Sequence, residues 1–135
     1  MSPIRKIYPK TERLKSEKAI SALFSSGQSV SVFPLRLVYR KSEEEHPEIK
    51  FGVSVSKRYF RNAVDRNYVK RLLREAYRHQ KALIRDATAY DFMLIFQSRS
   101  TIPYRELEQK TADLFRKFRS KTLDAQVSSP APSKP

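Results

Sequence analysis

The run at 56–79, SKRYFRNAVDRNYVKRLLREAYRH, leaves this chain few ways to fold, because its apolar residues gather on one side only when it winds as a helix. Val69, Leu72, Leu73 and Ala76 fall at the i, i+3, i+4, i+7 spacing of a buried helical face. At about 100° per residue, Asn67, Lys70, Arg71, Arg74 and Arg78 share an arc opposite to it, with Arg66 on the shoulder. Lys57, Arg58 and Arg61 add a basic lead-in. From 57 to 81, nine basic residues meet two acidic ones, so this stretch carries half of the formal net charge of +14. Such a helix docks on a core through one side. Through the other it offers cations and an amide to a polyanion.

The charge is therefore the part of the composition that matters. Twenty-eight Lys and Arg against 14 Asp and Glu imply a phosphate-rich partner or an anionic membrane. The membrane reading is weak. The longest strictly apolar run is 92–96, far short of the roughly 20 residues a spanning helix needs, and the basic helix lacks the wide apolar face of an interfacial anchor. No apolar stretch follows Arg5, Lys6, Lys10 and Arg13, so no signal peptide is expected. The absence of cysteine removes thiolate metal sites and is compatible with a cytoplasmic location.

In chain order, 1–12 reads as a mobile basic arm. Ser16 is a plausible N-cap for a short helix carrying Ile20, Leu23 and Phe24, which ends at Ser25-Ser26-Gly27. Residues 29–40 are rich in β-branched and aromatic residues, and Pro34 either splits them into two short strands or marks a bulge. The segment 41–48, KSEEEHPE, is a solvated turn. Ile49, Phe51, Val53 and Val55 then alternate with Lys50, Gly52, Ser54 and Ser56, a strand with one greasy face and one small, polar face. After the basic helix, 91–97 is a near-continuous apolar strand, expected to be central and covered on both sides. Pro103 opens a second long amphipathic helix with Leu107, Leu114, Phe115 and Phe118 on one side. The order helix, strands, helix, strand, helix predicts an α+β two-layer sandwich around a mixed sheet. Residues 120–135 read as a disordered Ser/Pro-rich tail.

The residues offer no protein-borne catalytic centre and no metal site. His46 and His79 have no triad-like or ligand-like neighbours. Glu43-Glu44-Glu45 are consecutive on a loop, which does not preorganise a metal cluster. Two glycines cannot build a phosphate-cradling loop of the nucleotide-binding type. RNA is the better partner: guanidinium forks engage phosphate bidentately, and Asn67 can read base edges or 2′-hydroxyls. A DNA-reading helix-turn-helix is disfavoured, since a strand and not a helix precedes the basic helix.

FGVSVSK at 51–57, followed by AVDRNYVKRLLREAYR at 63–78, resembles the signature of the bacterial ribonuclease P protein subunit: a strand ending in V-S-K, a short connection, then N-A-V-x-R-N-R-x-K-R-x-x-R-E. Asn62, Ala63, Val64, Arg66, Asn67, Lys70, Arg71, Arg74 and Glu75 match it. The stretches 13–30 and 104–115 are similar to the family's first and last helices. Three departures stand out: Tyr68 replaces the last Arg of R-N-R, YFR at 59–61 lacks the usual glycine, and Ile20 replaces an aromatic residue.

The resemblance implies an αβββαβα domain over 13–119, with a left-handed βαβ crossover around the basic helix. It implies the small subunit of a ribonucleoprotein endonuclease that removes the 5′ leader of precursor tRNA. Cleavage would be performed by the RNA subunit with Mg²⁺, leaving no catalytic residue and no tightly bound cofactor on the protein. The partners implied are the ribonuclease P RNA and precursor tRNA. Arg61, Arg66, Asn67, Lys70, Arg71, Arg74 and Arg78 would bind RNA. Ile20, Phe24, Tyr39, Lys57 and Arg58 would line a leader cleft, where the Gly/Ser face of the 49–56 strand leaves room for a nucleotide chain. Arg66 and Arg71 are expected to serve RNA without supporting the fold. The alternative is a ribosomal or general structured-RNA-binding protein with no nuclease role.

Overall fold

The computed structural model describes residues 8–42 and 49–128, with side chains given as far as Thr122. Its elements are helix α1 (Glu17–Ser26), strands β1 (Gln28–Val32), β2 (Leu35–Lys41) and β3 (Lys50–Val55), helix α2 (Ala63–Gln80), strand β4 (Tyr90–Phe96) and helix α3 (Tyr104–Ser128). The sheet order is β1-β2-β4-β3. β2 pairs antiparallel with both β1 and β4, whereas β3 and β4 run parallel and are joined through α2. This is the expected αβββαβα order with a mixed sheet.

Strand alternation divides the sheet into two faces. Leu37 and Tyr39 of β2, Phe51 and Val55 of β3, and Phe92, Leu94 and Phe96 of β4 meet Val69, Leu73 and Tyr77 of α2 and Leu114, Phe115 and Phe118 of α3 in the main core. Tyr77 stacks on Phe51 with ring centroids 4.0 Å apart. On the other face, Val38, Met93 and Ile95 meet Leu23 of α1, with Leu14 and Ile20 packed alongside. β4 is buried from Asp91 to Phe96 because both faces are used.

Local signals set the helix ends. Ser16 Oγ accepts from the Ala19 amide at 3.1 Å, and Asn62 Oδ1 accepts from the Val64 amide at 2.8 Å. At the end of α1 a β-carbon on Gly27 would collide with the Leu23 carbonyl oxygen, so the tight exit into β1 demands glycine. Pro34 sits in the two-residue link between β1 and β2, where no ladder donor is needed.

Two boundaries differ from those expected. Residues 8–12, assigned to the mobile arm, form a packed strap along the outer edge of β3. The Leu14 amide donates to the Phe51 carbonyl at 3.1 Å, and the Tyr8 hydroxyl donates to the same oxygen. Burial raises the Tyr8 pKa to about 12, with the nearby Arg74 and Arg13 opposing the shift. Glu12 is buried with Lys81, whose Nζ lies 2.9 Å from both carboxylate oxygens, and Tyr77 Oη donates to Glu12 Oε1 at 2.8 Å. An isolated charged residue in a polar stretch carries no periodic signal, which is why this burial was not visible in the sequence. α3 also continues to Ser128, past the boundary at 120 where the tail was expected. The arm residues 1–7, the turn residues 43–48 with His46 and Glu43 to Glu45, and the tail at 129–135 lie outside the described residues.

Replacing Lys81 by Met leaves Glu12 buried without its cation. Loss of about 3–5 kcal/mol in urea unfolding is expected, the penalty for an uncompensated buried charge. Tyr77→Phe should cost about 1 kcal/mol, the worth of one hydrogen bond.

Candidate nucleic-acid interface

α2 is built as two opposed surfaces. Val69, Leu73, Ala76 and Tyr77 are buried against the sheet and α3, while Asn67, Arg71 and Arg74 are exposed and Lys70 is half-buried beside them. Among the described residues none of these three cations is ion-paired with a carboxylate. Arg71 instead lies over the ring of Tyr68, 5.8 Å from its centroid. Arg61 is exposed just before the helix.

Two members of the expected RNA-binding set are occupied within the protein. Arg66 precedes Leu73 by seven residues, about two turns, and therefore shares its inward side. Its Nη1 donates to the carbonyls of Phe60 at 2.9 Å and Arg61 at 2.8 Å, clamping the connection from β3 into α2. Arg66 thus supports the fold, contrary to expectation, because it lies outside the arc of the stripe. Arg78 pairs with Glu75, which also lies 3.4 Å from His79 Nε2. Gln80 donates to Glu108 at 2.8 Å, so this end of the stripe is tied to α3. Close by, burial raises the Tyr104 phenol pKa to about 12, and Glu108 and Glu75 push it the same way.

The expected leader cleft is only partly assembled. Ile20 packs on the Leu23 cluster, and Phe24, one turn further along the same flank of α1, is 52% exposed. Ile20 shares its cluster with Ile95 of β4, whose row neighbours Ser54 of β3 and Arg36 of β2 are half-buried. Lys57 and Arg58 are exposed in the turn after β3, with the Arg58 amide donating to Ser56 Oγ at 3.0 Å.

Tyr39 does not belong to this set. It lies on the opposite face of the sheet, with its ring 4.8 Å from that of Phe118 and its hydroxyl donating to Gln28 Oε1 at 3.3 Å. Val38, one residue earlier, faces α1, and a slip of one position in a strand reverses the face. Gly52 leaves no open channel either. A β-carbon there would meet Met93 Cε at 3.1 Å and Leu14 Cβ at 3.6 Å, so its smallness serves packing under α1.

A second basic surface was not foreseen. A hollow of about 340 Å³ lies on the other flank of α1, walled by Lys15 and Lys18 and by Lys10 and Arg13 of the strap, and reaching Arg40 and Lys50 of the sheet. Ile20, Phe24, Tyr39, Lys57 and Arg58 do not line it. Its cations come from four separate segments, so no single periodicity announces them. Their signal was the density of Lys and Arg between 5 and 18. Among the described residues no three His, Asp or Glu side chains lie close enough to hold a metal ion.

Comparisons with known proteins point to one family. A family model described as Ribonuclease P matches residues 8–119. The ribonuclease P protein component of Porphyromonas gingivalis is 47% identical over 78 residues, which are 57% of this chain and 57% of that protein. That of Streptococcus agalactiae is 36% identical over 101 residues, covering 74% of this chain and 87% of the relative. That of Bacillus cereus is 31% identical over 115 residues, covering 84% and 96%. In fold, the chain is similar to the RNase P protein of Thermotoga maritima, with a TM-score of 0.65 at 22% identity over 78% of this chain and 96% of that one. The Staphylococcus aureus RNase P protein gives 0.64 at 24% identity over 78% and 93%.

The division of labour along α2 is testable by unfolding alone. Arg66→Ala should lose about 1–3 kcal/mol, since two carbonyls lose a charged donor. Arg74→Ala should stay within about 0.5 kcal/mol of the parent, as a surface substitution. Equal losses in urea titrations would contradict the inward placement of Arg66.

Proposed function

This chain belongs to the ribonuclease P protein family, and we propose that it is the protein subunit of a ribonuclease P holoenzyme that trims the 5′ leader from precursor tRNA in the cytoplasm. The observation that carries the proposal is α2: Asn67, Lys70, Arg71 and Arg74 form a cationic, hydrogen-bonding surface on a helix whose other side is locked into the core. A folded RNA presents closely spaced phosphates to such a surface, and arginine forks meet them bidentately.

In this reading the catalytic RNA docks on α2 and performs the hydrolysis. The protein holds the substrate. The single-stranded leader runs over the open sheet face beside Ile20 and Phe24, past Ser54, toward Lys57 and Arg58. Tyr39 has no part in it. The protein supplies no catalytic residue in this reading, and the Mg²⁺ that the chemistry uses would be held by RNA. No helix among the described residues is long and apolar enough to cross a membrane.

Adding the protein to its cognate ribonuclease P RNA should raise precursor-tRNA cleavage at low Mg²⁺. No stimulation by a folded, RNA-bound protein would sink the proposal. Affinity that is independent of leader length would favour a general structured-RNA binder instead. Neutralising about four phosphates predicts a log–log salt slope of roughly −3 to −4. Lys70→Ala should flatten it by about one.

A further inference from the structure

Two exposed side chains on α2 are neither part of the core nor part of the cationic stripe. Val64 is 73% exposed and Tyr68 is 49% exposed. They stand at i and i+4 on the same side of the helix, adjacent to each other. The arc they occupy borders the stripe on the Arg71 side, and Arg71 places its guanidinium over the Tyr68 ring. Asn67 is exposed at the next position inward. Single exposed apolar residues are ordinary on a protein surface. Here an aromatic ring and a branched aliphatic side chain form one patch, with Arg71 and Asn67 on one flank and the exposed Asp65 on the other, on the helix that the proposed function docks on RNA.

Tyr68 directly follows Asn67 of the stripe in the chain. A cation at that position would add one more phosphate contact. A tyrosine offers phosphate a single phenolic donor in place of a fixed positive charge. A flat ring has a different use. Every nucleobase has a π-face, and an aromatic side chain in a cationic groove stacks on an unpaired base whatever its sequence. The Arg71 guanidinium can add a planar cation to the same stack.

We propose that Tyr68, with Val64 and Arg71, is a stacking platform for one unpaired nucleobase of the RNA that docks on α2. This rests on the reading of α2 as an RNA-docking helix and adds the kind of nucleotide it takes: one that is bulged or in a loop at this contact, where a duplex would meet a cation. Tyr68 acts here as a positioning residue. It fixes the register of the RNA along the helix, and Lys70 and Arg74 supply phosphate attraction.

The chain contains no tryptophan, so Tyr68→Trp introduces a single fluorophore at the platform. Phe33→Trp, at an exposed site in the β1–β2 link, serves as the control. The probes are the cognate ribonuclease P RNA transcribed in vitro and a fully paired RNA duplex. Ribonuclease P RNA should strongly quench the Tyr68→Trp fluorophore and leave the Phe33→Trp one unchanged, and the duplex should quench neither.

Tyr68→Phe should bind within about twofold of the parent. Tyr68→Leu should bind roughly 5- to 100-fold more weakly, with unaltered salt slope and thermal midpoint. If Tyr68→Leu binds like the parent and the Tyr68→Trp fluorophore is not quenched, while Lys70→Ala still weakens binding, the platform is overturned and the docking helix stands. If the parent binds no ribonuclease P RNA, both fall. Quenching by RNA with no gain in precursor-tRNA cleavage supports the platform and removes the ribonuclease P reading.

Discussion

Burial of β4 on both faces is the constraint from which the rest of the architecture follows. Leu94 and Phe96 point to one side of the sheet, Met93 and Ile95 to the other, and all four are buried. A single layer of helices would leave one of these rows in water, at roughly 25 cal/mol for each Å² of apolar surface left uncovered. The chain therefore places α2 and α3 over one face and α1 over the other. Because α1 is short, it covers only part of its face. Beside the buried Ile95, its row neighbours Arg36 and Ser54 are only half-buried, and they mark the surface the proposed function assigns to a single-stranded chain. The partial exposure of that row is thus a consequence of a short second layer.

The legibility of these features in the sequence followed how locally they are encoded. α2 was readable because its apolar and cationic residues recur with the helical period within one segment. β4 was readable from its unbroken apolar run, and the β1–β2 break from Pro34. The faces of β2 were not. Residues 35–39 are LRLVY, and three apolar residues in a row give no parity from which to tell that Val38 looks toward α1 and Tyr39 away from it. Only pairing with β4, Val38 opposite Met93 and Tyr39 opposite Phe92, decides the matter. Arg66 was misjudged for a related reason. Its charge suggested the stripe, and its angular position near Leu73 and the carbonyls of Phe60 and Arg61 outweighed the charge. Gly52 looked like space for a ligand because sequence cannot show that Met93 and Leu14 fill it.

The strap at 8–14 was the least legible part, and it links the two functional faces. It passes from Glu12, buried beside Lys81 and Tyr77 at the end of α2, around the edge of β3 to Leu14 under α1. Edge strands need covering if they are not to pair with other chains, and the strap does so by occupying the Phe51 carbonyl. It also borders both basic surfaces. Arg74 from α2 and Arg13 from the strap both act on the Tyr8 phenol, and Arg13 and Lys10 then line the hollow beside α1. Along the β3 edge, cations of α2 and of the strap thus gather around Tyr8, with Glu12 beside them and Asp91 among the residues lining the hollow. The buried Glu12–Lys81 pair holds this surface in one shape. Together with the bonds of Leu14 and Tyr8 to the Phe51 carbonyl it keeps the strap ordered, so a polyanion touching both α1 and α2 is spared about 1–2 kcal/mol for each residue it would otherwise have to fix.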